Sequence, residues 1–170
     1  MTSSQMKRIG LLSDTHGHLD EAVYRYFEEC DEVWHAGDIG TAEVSDKLAA
    51  FKPYKAVYGN IDGTELRKMH PAVLNFKCEQ TDVLIIHIGG FPGKYTPEAR
   101  KEIIEAKPKL FICGHSHILK VVFDKKFNLL HMNPGAAGNH GFHKVKTLLR
   151  FTIDGTQIKN LEAIEIGKRG

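Results

Sequence analysis

An α/β fold of two mixed sheets packed face to face, with helices outside, is what this sequence predicts. Three observations carry that reading. Short apolar runs alternate with helical patterns over the first two-thirds of the chain, as parallel strands joined by helical crossovers require. The last third turns to strand after strand, ending in a pair joined at Asp154-Gly155, a strong hairpin signal. Finally, 42% of the 170 residues are hydrophobic, which suits one core spanning 1–170 as a single domain.

The elements follow in order. Ile9-Gly10-Leu11-Leu12 reads as a buried strand, and Asp20 to Glu29 as a helix with Ala22, Val23, Tyr26 and Phe27 on one face. Val33-Trp34 begins a short strand that ends at Gly37-Asp38. Thr41 can cap the next helix, where Glu43 suits the positive end and Val44, Leu48 and Phe51 form the apolar stripe. Lys55 to Tyr58 is a third strand, stopped by Gly59-Asn60. Ala72 to Cys78 then alternates, placing Leu74, Phe76 and Cys78 on one face. Val83 to Ile86 is a buried strand ending at His87, and Pro97 opens a helix that runs to Lys107. Leu110 to Cys113 is a strand running into Gly114-His115-Ser116-His117. The remaining strands are Val121–Phe123, Leu129–Met132, Lys146–Thr152 and Gln157–Ile166.

Composition removes several function classes. Lys+Arg 23 against Asp+Glu 21 gives a net charge of +2, with no charged tail. Any attraction for phosphate must therefore be local. No basic stripe interleaved with aromatics appears, so a nucleic-acid surface is not expected. Cys30, Cys78 and Cys113 are scattered and unpaired in spacing, which argues against disulfides and suits a reducing, cytoplasmic setting. The polar start, Met1 to Arg8, resembles no signal peptide, and no apolar stretch reaches membrane-spanning length. The unusual number is ten histidines.

Metal-type ligands fall where the strands end. The first strand is followed by Asp14-Thr15-His16, the second by Asp38, the third by Asn60, and later ones by His87 and by His115 and His117. In α/β sheets the loops beyond the carboxyl ends of the strands converge on the ligand site. Seven candidate ligands from five such loops are expected to meet there. Imidazole, carboxylate and amide oxygen suit manganese, iron or zinc. In Asp14-x-His16 and His115-x-His117, residues two apart on an extended chain project to the same side. Flanking glycines 17, 37, 40, 59 and 114 allow close approach of backbone to a ligand.

In this order, Asp14-x-His16, Gly37-Asp38-x-Gly40, Gly59-Asn60, His87 and Gly114-His115-Ser116-His117 resemble the calcineurin-like metallophosphoesterase superfamily. Asn133-Pro134-Gly135 adds a likeness to its small bacterial and archaeal phosphodiesterases, whose relatives include a eukaryotic retromer subunit. The resemblance covers roughly Lys7 to Thr152 and implies a four-layer α/β/β/α sandwich. It implies two divalent cations per chain, manganese first, with iron, zinc or nickel as alternatives. One would take Asp14, His16 and His117, the other Asn60, His87 and His115, with Asp38 bridging both. Asp38, Asn60 and His115 would then serve catalysis by positioning metal and phosphate around an attacking hydroxide. The expected substrate is a small phosphodiester, in a chain that could also assemble with copies of itself.

Two departures from the pattern stand out. The superfamily commonly has His after Gly-Asn, to help the leaving oxygen depart, whereas this chain has Ile61 followed by Asp62. Relatives commonly place Ser after Asn-Pro-Gly and an Arg soon after, where this chain has Ala136-Ala137-Gly138-Asn139-His140. Asn60, Gly135 and Lys94 are the candidate substrate contacts. Lys94 belongs to Gly89–Lys94, read evenly as a mobile phosphate-binding loop or a connecting turn. His18, His35, His70 and His131 are expected to be hydrogen-bonded structural residues, and His140, His143 and Lys144 to be solvated surface. Cys113 and Trp34 are expected in the core. The alternative function on the same fold is a non-catalytic interaction scaffold.

Overall fold

The computed structural model describes residues 6–170; the first five residues of the polar start lie outside the described residues. Two five-stranded sheets form the centre. The first sheet contains β1 (Met6–Leu12), β2 (Glu32–His35), β3 (Tyr54–Ala56), β11 (Val145–Asp154) and β12 (Gln157–Lys168), in the order β12-β11-β1-β2-β3. The second holds β4 (Val73–Cys78), β5 (Thr81–Ile86), β8 (Leu110–Ile112), β9 (Leu119–Asp124) and β10 (Leu129–Pro134), in the order β4-β5-β8-β10-β9. Each sheet has a parallel trio, β1-β2-β3 or β5-β8-β10, bordered by antiparallel strands. Parallel neighbours need crossovers, and three of the helices lie in them: α1 (Ala22–Tyr26), α2 (Ala42–Phe51) and α4 (Pro97–Ala106). The remaining helix, α3 (Thr64–Met69), follows β3. A two-stranded hairpin, β6 (Gly90–Phe91) with β7 (Lys94–Tyr95), precedes α4.

Three apolar layers make this a four-layer α/β/β/α sandwich. Between the sheets, Ile9, Leu11, Trp34, Ile85, Ile112 and Phe151 pack together. Leu74, Phe76 and Cys78 join that core from β4, the face that their alternation predicts. Outside the first sheet, Val23, Phe27, Val44, Leu48 and Leu66 cover Leu12, Val33 and Leu148. Outside the second, Ala99 and Ile103 of α4 cover Leu84 and Phe111. Each such fully buried large side chain contributes ~1.5–3 kcal/mol.

Local signals behave as the chemistry dictates. The Thr41 hydroxyl accepts from Val44 N at 3.4 Å, and Thr96 Oγ1 accepts from Ala99 N at 3.2 Å ahead of Pro97, so both longer helices start on a side-chain cap. Trp34 is fully buried and donates Nε1–H to Glu32 at 2.8 Å, and Cys113 is also core. Several expectations need correction. The first helix is one turn of five residues, because after Tyr26 the chain turns to bring Cys30 N to Phe27 O. β3 ends at Ala56, since Tyr58 N–H leaves the sheet for Pro71 O. The segment Gly89–Lys94 is not a plain connecting turn, for it contains most of the β6–β7 hairpin. Among the described residues no helix is long and apolar enough to cross a membrane.

Candidate metal centre

All seven candidate ligands lie in loops that follow strands of the two parallel trios. Six of them form two groups, Asp14–His16–His117 and Asp38–His87–His115, each with ligand atoms within 4.8 Å of one another. Both groups draw on both sheets, because the β8–β9 loop sends His117 to one and His115 to the other.

The two carboxylates are used alike. Asp14 Oδ2 accepts from Ser13 Oγ at 2.6 Å and from His115 N at 3.1 Å. Its Oδ1 faces His117, His16 and His87 Nε2 at 3.1, 3.6 and 3.8 Å. Asp38 Oδ1 accepts Ile61 N–H at 3.0 Å, while Oδ2 faces His87 and His16 Nε2 at 3.2 and 3.5 Å. Each aspartate thus gives one oxygen to the protein and turns the other toward imidazoles. Asp38 faces a histidine of each group within 3.5 Å, and Asp14 reaches His87 of the other group at 3.8 Å. Burial alone would push the Asp14 carboxyl up, but the hydrogen bond with His117 and the nearby His16 and His87 hold it well below the usual range. For Asp38 burial is likewise outweighed, chiefly by His87.

His87 Nδ1 lies 2.7 Å from the Ala36 carbonyl. A carbonyl only accepts, so Nδ1 carries the proton, and in its neutral form the ring presents a bare Nε2 to the centre. Among the described residues, the buried Nε2 atoms of His16 and His87 have no hydrogen-bond partner. Buried polar atoms are rarely left so, and a divalent cation is what such nitrogens beside carboxylates fit. Cys113 adds no thiolate, since burial pushes its thiol up to about 12.

The backbone here is not the extended chain expected for the Asp-x-His and His-x-His pairs. Asp14, His16, Asp38, His115 and His117 all take left-handed conformations, with φ between 48° and 69°. These turns, not strand alternation, aim the side chains. Gly37 and Gly59 sit where a Cβ would strike the His87 ring and Asp38 respectively, so each admits a neighbouring loop at backbone contact.

Two supporting residues escape pattern reading. Asp62, buried, accepts backbone N–H groups from Ile39, Gly40 and Gly59 at 3.1, 2.8 and 2.8 Å, tying the Asp38 loop to the Asn60 loop. Asn133 donates to Gly114 O and Ser116 Oγ, both at 3.0 Å, and accepts from Gly135 N at 3.0 Å, stapling the His115–His117 loop to β10. The acidic residue after Gly-Asn and the Asn-Pro-Gly run are their only traces in the sequence.

The other residues of interest separate clearly. Asn60 is exposed and lines a cavity with His87. Gly135 is buried, with its N–H committed to Asn133. Lys94 is exposed on the β6–β7 hairpin. His140 is exposed, yet its ring centroid is 5.0 Å from that of His16. His143 is not solvated surface: it is partly buried, 5.1 Å from the His117 ring, and bonds Gly138 O at 2.7 Å. His35 and His70 are hydrogen-bonded, to Thr15 at 2.9 Å and Ser45 at 2.6 Å. His18 is exposed, and buried His131 departs from expectation because its Nδ1 has no partner.

Residues 6–156 match the family model of the calcineurin-like phosphoesterase superfamily domain. The chain belongs to that superfamily. A probable metallophosphoesterase of Methanothermobacter thermautotrophicus is 29% identical over 136 residues, which is 75% of this chain and 76% of the relative. Two solved structures share the superfamily fold seen here. A predicted phosphoesterase from Streptococcus pneumoniae aligns with TM-score 0.72 and 21% identity, covering 96% of this chain and 91% of that one. Vps29 from Entamoeba histolytica, solved with zinc, aligns with TM-score 0.72 and 15% identity, covering 93% and 98%.

Proposed function

We propose that the protein is a dinuclear metal-dependent phosphodiesterase that hydrolyses its substrate by direct in-line attack on phosphorus, without a phospho-enzyme. One observation carries this reading: two buried aspartates each turn one oxygen toward His16 and His87, whose Nε2 atoms are unpartnered among the described residues. Asp14, His16 and His117 would hold one divalent cation, Asn60, His87 and His115 the other, and Asp38 both. When bound, two such ions supply a hydroxide near neutral pH and offset charge growing on the phosphoryl oxygens.

The protein's own contribution is alignment. Ala36 O fixes the His87 tautomer, and the left-handed turns hold Asp14, His16, Asp38, His115 and His117 in place before substrate arrives. Asn60 and His115, both exposed, are the ligands a substrate would meet. Ile61 gives its N–H to Asp38 and offers no proton from its side chain to a departing oxygen.

Vps29 from Chaetomium thermophilum, with the same fold, is solved with a cyclic peptide bound. A non-catalytic scaffold is therefore the second reading. Seven competent ligand positions, six of them gathered into two groups, favour the enzyme. The deciding experiment loads the protein separately with manganese, iron, zinc and nickel, then follows bis(4-nitrophenyl) phosphate. Metal-dependent turnover with two ions per chain is expected. Bound metal without turnover in all four forms would favour the scaffold.

A further inference from the structure

A cavity of about 210 Å³ adjoins the centre and has no part in the chemistry above. It shares Asn60 and His87 with the ligand set; Tyr58, Val73, Ile86 and Ile88 line it as well, and Glu98 adds a carboxylate to the lining. Pockets that bury large ligands run to ~300–1,000 Å³, whereas an apolar cavity of ~150 Å³ accepts benzene. The space therefore suits one ring. Apolar surface also stands in water around it: Ile88 is 38% exposed, and Ile61, beside Asn60, is 47% exposed.

Arg67 makes one wall rigid. Its guanidinium lies 4.6 Å from the Tyr58 ring centroid, and its Nε donates to Asp62 O at 2.6 Å. A flat cation fixed on an aromatic face is a good neighbour for a planar ring attached to an anion. A flexible alkyl group would leave most of these walls wet.

We propose that this cavity is an ester-group subsite that takes a single aromatic ring bonded through oxygen to phosphorus, so that aryl phosphodiesters are preferred over alkyl ones. The assignment rests on the hydrolase reading, and its test separates the two. Phenyl 4-nitrophenyl phosphate and methyl 4-nitrophenyl phosphate release the same nitrophenol, so their ratio of kcat/KM reads the retained group. With manganese-loaded protein the phenyl ester should be favoured roughly tenfold. Val73→Trp, which fills the cavity, should bring that ratio close to one; Ala72→Trp at the exposed wall is the substitute if the first variant does not fold. Calorimetry with phenylphosphonate and methylphosphonate measures the same preference without turnover. A phenyl preference in binding that the tryptophan abolishes, with no hydrolysis of either ester, would keep the subsite and sink the hydrolase. Equal handling of phenyl and methyl in both measurements, or a preference that the tryptophan variants retain, would overturn the subsite and leave the hydrolase intact.

Discussion

The two ligand groups use the same side-chain types on different surroundings. Asp14 is buried, and His16 and His117, partly buried, are enclosed by further rings: His140 lies against His16, His143 against His117, and a Cβ at Gly141 would meet the His117 ring. Asp38, His87 and His115 have buried members too, but His115 is exposed and His87 borders the cavity shared with Asn60. The contrast teaches a division of labour. A cation in the enclosed group would exchange slowly, and one in the open group would meet solvent and substrate.

The strongest way to break this picture is Asp38→Asn. Because Asp38 faces a histidine of each group, both cations should be lost together. Activity should fall by more than the ~10–100-fold that losing an outer partner typically costs. Elemental analysis of the variant decides it; two tightly held ions would remove Asp38 from its bridging place.

A paired truncation sharpens the comparison next. His117→Ala should empty the enclosed site alone and His115→Ala the open one, each lowering occupancy as well as rate. In the unmutated protein a chelator should withdraw one ion quickly and the second slowly. Simultaneous loss at a single rate would mean that the enclosure by His140 and His143 has no kinetic effect.

Asp62 offers a milder perturbation. Asp62→Asn replaces an acceptor of three backbone N–H groups by one with a single carbonyl oxygen, and leaving a buried donor unpaired costs ~1–3 kcal/mol. Metal affinity in the open group should drop ~10–100-fold, with the enclosed site less affected. Equal weakening of both sites, measured by titration with a metal-sensitive dye, would show that Asp62 supports the whole centre.

The smallest effect on the centre is expected from His131, which belongs to neither group. Burial pushes its imidazole down from 6.5 to about 4. Between those values the unfolded chain binds a proton that the folded protein does not, so stability falls as pH drops through that window and levels off below it. At about pH 5 the loss is ~2 kcal/mol. His131→Phe should flatten this limb of a urea-unfolding series while metal binding stays unchanged. An unaltered limb would assign the acid sensitivity elsewhere.

Much of this was legible because buried parallel strands are written as apolar runs, and a polar residue just after such a run is conspicuous. Leu12 before Asp14, Ile86 before His87 and Cys113 before the Gly-His-Ser-His loop are examples. The short helix Thr64–Met69 went unseen because its one buried residue, Leu66, makes no periodic stripe. Asp62 and Asn133 could not be given their tasks, since their partners are backbone groups brought near only by the fold. His143 looked like surface for the same reason: what buries it is His117, far away in sequence.

The left-handed turns have a consequence for how these positions tolerate change. Asn, Asp and His are the non-glycine residues most enriched in that region of backbone space, whereas β-branched side chains are outliers there. The chemistry of cation binding and the geometry of the turns therefore draw on the same short list of amino acids. A library randomised at Asp14, His16, Asp38, His115 and His117, and sorted for folding alone, should return Gly, Asn, Asp and His. At those five places the sequence would keep the look of a metal site even where no metal had been selected for.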